Sequence, residues 1–194
     1  MYVIGIGGFK RSGKDTFAEQ LAHAVRQRGL VPVMTAFATA VRHAAAAAYG
    51  VDESVFFDAK DTIHPEWGIT PRQMMINEGE GMRSIDPDHW IKVWRRRIAV
   101  YNRPELVIIV SDVRQLNEAV EIASLGGTLA LMQRPDKEWD GTAVEWLAHH
   151  FAAPPHGPFS AIVKNDGDVA SLRRHADRIV RRVLDKAAKQ NSSK

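Results

Sequence analysis

Gly8-Phe9-Lys10-Arg11-Ser12-Gly13-Lys14-Asp15-Thr16 follows directly on the apolar run Tyr2-Val3-Ile4-Gly5-Ile6-Gly7. Together they read as a strand that runs into a phosphate-binding loop. Gly8 and Gly13 let the backbone curl so that the N–H groups of Lys10, Arg11 and Ser12 turn inward on an anion, and Lys14 brings a charge to the β- and γ-phosphates of a nucleotide. Beyond the loop, Phe17, Leu21, Ala24 and Val25 make one apolar stripe, which predicts a helix from Asp15 to Arg28 with Gly29 as its left-handed cap. A helix that starts at the loop aims the positive end of its dipole at the same phosphates. Where the usual pattern has Ser or Thr after the lysine as a ligand for Mg²⁺, this chain has Asp15, with a hydroxyl one residue later on Thr16. Hard cations favour oxygen ligands of either kind, so both are candidates and the sequence leaves open which oxygen is used.

Composition bounds the setting. With 194 residues and 45% hydrophobic content, the chain can bury a self-supporting core, and a single domain with a mobile lid is expected. The absence of cysteine excludes disulfides and cysteine-ligated metals and fits a reducing compartment. No apolar run approaches membrane-spanning length and the N-terminus enters a strand without a signal sequence, so the expectation is a cytoplasmic protein with no membrane partner. The formal net charge is only +3, yet positive residues cluster at Lys10, Arg11 and Lys14, at Arg95-Arg96-Arg97, and at Arg173-Arg174, Arg178 and Arg181-Arg182. The last group shares its helix with Asp177 and Asp185, which reads as a solvated face before a nucleic-acid track.

Taken in order, Leu30 to Phe37 reads as a second buried strand and the alanine-rich stretch Ala38 to Tyr49 as a helix stopped by Gly50. Residues Asp52 to Trp67 lack a clean period and read as short helix and loop over a cleft, with Asp58, Lys60 and Asp61 able to touch a substrate but better read as surface polar positions. Thr70 and Pro71 open a helix as N-cap and first-turn residue, expected to break near Gly79 or Gly81. Asp86-Pro87-Asp88 opens another, whose apolar side is Trp90, Val93, Trp94, Ile98 and Tyr101. Leu106 to Val110 is a β-branched run suited to the centre of a parallel sheet, and it ends in Ser111-Asp112-Val113-Arg114. An acid at that end of a central strand is placed for the second Mg²⁺-side group, although Asp112 could instead cap the helix Gln115 to Leu125. A strand Thr128 to Gln133 follows, then an aperiodic stretch from Arg134 to Pro158 that reads as a lid, a short strand Ala161 to Val163, the turn Asn165-Asp166-Gly167 and a final helix from Val169 to Ala188 with a frayed end. His149, His150 and His156 lack companions at metal spacing. The alternation of strand and helix predicts a three-layer α/β sandwich, a parallel sheet of about five strands with helices on both faces, in which 51–103 is a helical insert between core segments 1–50 and 104–188.

The chemistry this allows is phosphoryl transfer. There is no Asn-Lys-x-Asp guanine signature, and Arg72, Arg83, Arg114 and Arg134 stand at segment ends. Arginine suits bidentate phosphate contact and the spreading of transition-state charge. In this scheme Lys14 and the loop amides hold the donor phosphates, Asp15, Thr16 and Asp112 organise Mg²⁺ and its waters, Asp112 also polarises the attacking oxygen, and the arginines bridge donor and acceptor.

The run Lys10 to Thr16, Pro71-Arg72-Gln73-Met74, Trp90, Ser111-Asp112-Val113-Arg114, Arg134-Pro135 and Asn165-Asp166-Gly167 occur in an order that resembles the phage-type deoxynucleoside monophosphate kinases, the lysine-aspartate loop being the most specific element. The resemblance implies transfer of the ATP γ-phosphate to a deoxynucleoside monophosphate, in a host cytoplasm if the chain is phage-encoded, by a monomer or homodimer. It implies that Arg72, Arg83, Trp90, Asp112 and Arg114 hold the acceptor, that Lys14, Asp112, Arg83 and Arg114 act in transfer, and that Arg134, Asn165 and Asp166 join Gly8, Gly13 and the rest of the loop in holding ATP. Asp140 and Glu145 match an acidic pair of the family's lid, with Thr142 where a histidine is usual. Glu78-Gly79-Glu80-Gly81-Met82-Arg83 with Asp86-Pro87 is also similar to animal-type phosphomevalonate kinases, which share the loop. A third reading is a kinase of a modified base in DNA, with Arg95 to Arg97 and the final helix as its track. A nucleotide-sensing protein without turnover is a fourth.

Overall fold

The computed structural model describes residues 1–135, 137, 139, 141, 145–153 and 155–192. Its elements, in order, are β1 (Tyr2–Gly8), α1 (Lys14–Arg26), β2 (Val31–Thr35), α2 (Ala38–Tyr49), α3 (Val55–Asp58), α4 (Pro71–Ile85), α5 (His89–Ile98), a short 3-10 turn (Ala99–Tyr101), β3 (Leu106–Val113), α6 (Leu116–Ser124), β4 (Thr128–Gln133), α7 (Trp146–His150), β5 (Ala161–Lys164) and α8 (Val169–Ser192). They fall into two compact units, Met1–Ala36 with Tyr101–Lys194, and Phe37–Val100.

The first unit is built on one sheet of order β2-β3-β1-β4-β5, with every neighbouring pair parallel. Parallel strands need their connections carried over the faces, and the helices do this. On one face Ile4, Ile6, Val107, Ile109 and Met132 pack against Phe17, Leu21 and Val25 of α1 and Leu172, Ala176 and Ile179 of α8. Each large side chain fully buried in this way contributes roughly 1.5–3 kcal/mol. The other face carries α6, whose Ile122 comes so close that a β-carbon on Gly5 would lie 2.7 Å from its terminal methyl. The expected three-layer α/β sandwich is therefore present.

Two local expectations fail for identifiable reasons. β2 was predicted buried, but it forms an edge of the sheet, and Val31 and Met34 are about half exposed. Its apolar residues are those of an inner strand, but Pro32 has no N–H for a second neighbour, which suits an edge. The predicted break at Gly79 or Gly81 does not occur, because α4 runs on to Ile85. A helical glycine costs only about 1 kcal/mol relative to alanine, less than packing returns. Gly79 is buried, and its carbonyl accepts a hydrogen bond of 3.0 Å from the Trp90 indole.

The second unit is wholly helical. Thr70 caps α4 as expected, its hydroxyl accepting from the Gln73 N–H at 3.2 Å. Ala45 and Ala46 of α2 pack with Phe56 and Met74, and Ala40 and Val41 pack with Trp90. Helix α2, read from sequence as part of the core segment, thus shares its apolar faces with α4 and α5. Trp94 is fully buried with its ring centroid 4.8 Å from that of Phe37.

Candidate active site

The strand-to-helix loop of the first unit takes the geometry its sequence dictates. Gly8 has φ 145°, and a β-carbon there would lie 2.8 Å from the Met132 carbonyl oxygen. Gly13 has φ 94° and would drive a β-carbon into the Asn165 amide. Both conformations are cheap only for glycine. Arg11, at φ 60°, carries the loop's one strained side-chain residue among those described, at a cost of about 1 kcal/mol. The Ser12 N–H closes the turn on the Phe9 carbonyl at 3.1 Å, and the first helical bond runs from Phe17 to the Gly13 carbonyl at 2.9 Å.

Lys14, the first residue of α1, folds back over this loop. Its ammonium donates to the carbonyls of Gly8 at 2.8 Å and Phe9 at 2.6 Å. Burial pushes its pKa down to about 8, assisted by the charge of Arg114, while Asp15, Glu145 and Asp112 pull it the other way. Lys14 thus feels the charges of four groups drawn from three parts of the chain. The sign predicts reactivity: in metal-free, ligand-free protein, an amine-directed acylating reagent should modify Lys14 with a midpoint near pH 8, where an exposed lysine requires about pH 10.4. Peptide mapping across a pH series measures it, and a midpoint above 10 would show that the loop does not bury the ammonium.

Asp112 belongs to β3 itself, one residue before Val113, which pairs with Gly7. The register places it beside the start of the loop at the carboxyl edge of the sheet, and it is 9% exposed. Past it, the start of α6 is held by Glu118, whose Oε2 accepts from the Arg114 N–H at 2.8 Å and the Gln115 N–H at 3.0 Å. Asn165 comes from the turn after β5. Its side-chain amide donates to the Ser12 carbonyl at 2.9 Å, clamping the loop from outside. Gly13, Thr16, Arg134, Asn165 and Asp166 then line a groove of about 510 Å³ closed on its apolar side by Leu172.

The structure also brings in a residue the sequence named only by resemblance. Glu145 is 7% exposed, and its carboxylate accepts a hydrogen bond from the Lys10 backbone N–H in the loop. No local periodicity signals this, since 135 positions separate the partners. Asp140 and Thr142 lie outside the described residues.

No protein-family model matches the chain. A protein of Acanthamoeba polyphaga mimivirus, provisionally named as a deoxynucleotide monophosphate kinase, is 31% identical over 158 residues, covering 73% of this chain and 79% of the viral one. The chain belongs to the deoxynucleotide monophosphate kinase family.

Among solved structures, a gluconokinase from Sinorhizobium meliloti 1021 covers 97% of each chain at 13% identity and a TM-score of 0.50, a likeness that shows the fold alone. A dephospho-CoA kinase from Campylobacter jejuni covers 93% of this chain and 96% of its own at 12% identity and a TM-score of 0.49. As a member of this family the chain is a phosphotransferase, with the P-loop kinase fold that the gluconokinase shares. No helix among its described residues is long and apolar enough to cross a membrane.

In the helical unit of this kinase, Arg72 forms a forked pair with Asp61, Nε to Oδ1 at 2.6 Å and Nη2 to Oδ2 at 3.2 Å, which raises the arginine pKa further. Arg83 pairs with Glu80 at 2.7 Å. Trp90, to which the resemblance gave a part in holding the acceptor, is only 4% exposed with its indole N–H on the Gly79 carbonyl, in keeping with its place on the apolar side of α5. Asp61 is exposed, as its polar surroundings predict, and it also orients Arg72, a pairing that spacing alone does not reveal. The signal was available in the charge pair, but not the fold that joins the two.

Proposed function

We propose that the protein transfers the γ-phosphate of ATP to a deoxynucleoside monophosphate, giving ADP and the diphosphate. The observation that carries this reading is the loop with Lys14 folded over it and Asp15, Asp112 and Arg114 within its electrostatic reach. The mimivirus relative's name supports the acceptor class. An oxygen of the acceptor's phosphate attacks the γ-phosphorus, the bond from that phosphorus to the β,γ-bridging oxygen breaks, and the electron pair leaves on ADP. A phosphate dianion is already a competent nucleophile, so no strong base is required, and catalysis rests on position and charge.

In this scheme Lys14 exchanges its carbonyl partners for phosphate oxygens, and the loop amides, with the positive end of the α1 dipole, serve the same anion. Ser12 Oγ is fully buried and has no hydrogen-bond partner among the described residues, which fits a site that expects an oxygen from outside the chain. The hard oxygen donors of Asp15, Thr16 and Asp112 suit Mg²⁺. When bound, the cation supplies charge neutralisation at the phosphate oxygens. Arg134, Asn165 and Asp166 flank the groove proposed for the nucleoside end of ATP, Arg114 takes developing charge on the transferred group, and Arg72 and Arg83 hold the acceptor's phosphate.

The test is ADP release from ATP and Mg²⁺ against a panel of ribo- and deoxynucleoside monophosphates, with phosphomevalonate and DNA carrying modified pyrimidines alongside. Turnover with one or a few deoxynucleotides is expected. Activity confined to phosphomevalonate or to DNA would move the acceptor to another class. With the acceptor in hand, Arg72→Ala should raise its KM by roughly tenfold to a hundredfold with little change in the KM for ATP, the loss expected for charged hydrogen bonds of about 1.5–3 kcal/mol. Asp61→Asn should give a smaller shift in the same direction, because it frees the guanidinium fork. Unchanged acceptor kinetics in Arg72→Ala and Arg83→Ala would remove both from the site.

A further inference from the structure

We propose that Glu145 is an internal occupant of the phosphate loop, its carboxylate holding the Lys10 backbone N–H that a nucleotide phosphate would take, so that Glu145 must leave before the donor binds. The inference rests on the reading of the loop as the donor-phosphate site and deepens it.

Three observations converge on it. The contact joins a carboxylate oxygen to a backbone N–H in the middle of the loop, between the two glycines that shape it. The side chain is 7% exposed, and a carboxylate that deeply buried needs a strong reason to be where it is. The charge of Glu145 is also felt by Lys14 with an attractive sign, so it neutralises part of the positive field that the loop would offer a phosphate. A carboxylate and a phosphate ask for the same donors, and two anions in one cradle repel.

Glu145 is not isolated from the rest of its segment. It directly precedes α7, where Leu147 and Ala148 are buried, and the Trp146 indole stacks on His150 with centroids 4.5 Å apart. Further on, the Ala152 carbonyl accepts from the Gln133 side chain at 2.6 Å, and Phe151 lies edge-on to Phe159. Withdrawing Glu145 from the loop must therefore shift Trp146 against its neighbours. Donor binding and the position of α7 are linked, and each biases the other by the same factor. The loop's apparent affinity is lowered by the fraction of time Glu145 occupies it.

The experiment is calorimetric titration of the full chain with inorganic pyrophosphate and with ADP, in parent, Glu145→Gln, Glu145→Ala and Lys14→Ala proteins, with thermal melts confirming that each is folded. Glu145→Gln keeps the shape and an acceptor oxygen but removes the charge. Both Glu145 variants should bind pyrophosphate and ADP about tenfold more tightly than the parent, as expected if the carboxylate leaves the loop open about a tenth of the time. In the parent, pyrophosphate should change tryptophan fluorescence. That change should vanish in Trp146→Phe and shrink in Glu145→Ala, a readout that a merely supporting role would not move. Equal or weaker binding by the Glu145 variants, with binding still lost in Lys14→Ala, would overturn the proposal and leave the loop reading intact. Failure of every protein to bind pyrophosphate or ADP would overturn both.

Discussion

Lys14→Ala reduces kcat/KM for ATP by roughly a thousandfold, into the background of an ADP-release assay, without lowering the melting temperature. The first half follows from geometry. The ammonium is held at the mouth of the loop by two carbonyls, Gly8 and Phe9, both able to release it to a phosphate oxygen, and removing one preorganised charge donor from a water-poor site costs about 10²–10³ in rate. The second half follows from its pKa. A lysine whose folded pKa is about 8, below the ordinary 10.5, is a charge the fold holds at a cost. That cost is fully present below pH 8, shrinks as pH rises from 8 towards 10.5, and is gone above it. Replacing Lys14 at pH 7 therefore relieves burial of a charge while losing two hydrogen bonds, and the two roughly offset. A variant that keeps a tenth of its activity would place donor binding elsewhere. One that is inactive because it has unfolded would show in the melt.

Asp112→Asn has the next largest expected effect, a fall in kcat of about a hundredfold with ATP affinity changed far less. The substitution is nearly isosteric at a position 9% exposed near the end of an inner strand, so the sheet should survive it. What changes is charge. An amide is a poorer ligand for a hard cation and does not polarise an attacking oxygen. The check is kcat measured across Mg²⁺ concentration. Loss that is partly rescued by high Mg²⁺ assigns Asp112 to the cation side, and loss unaffected by it assigns Asp112 to the attacking oxygen. Parent-like activity at every concentration would take Asp112 out of the mechanism.

What could be read from the chain was whatever chemistry is local. The loop is legible because its strand, turn and helix are contiguous, and Gly8 and Gly13 occupy the positions where a β-carbon would collide. β3 is legible because a run of Leu106 to Val110 has few other fates. Strand order is another matter. β2 looks like an inner strand by its apolar residues, and the one local sign that it has a neighbour on one side only is Pro32, which has no N–H for a second. The extent of α4 was misjudged because a glycine's intrinsic cost was weighed without the indole of Trp90 packed on the carbonyl of Gly79. The contacts of Asn165 with Ser12 and of Glu145 with Lys10 span 153 and 135 positions. Such pairs exist only once the sheet has set which loops share an edge, so periodicity and spacing could name the residues but not join them.

The outermost strand also bears on how the protein behaves in concentrated solution. The Val31 N–H bonds inward to the Glu105 carbonyl at 2.9 Å, so by alternation the nitrogen of Pro32 faces outward, on the side away from β3. Proline has no hydrogen to offer there. A second copy approaching that rim meets a strand of five residues with a donor missing from its ladder, which disfavours strand addition of the kind that seeds fibrils. Between the half-exposed Val31 and Met34, the residue that cannot donate blunts what would otherwise be an apolar, open edge.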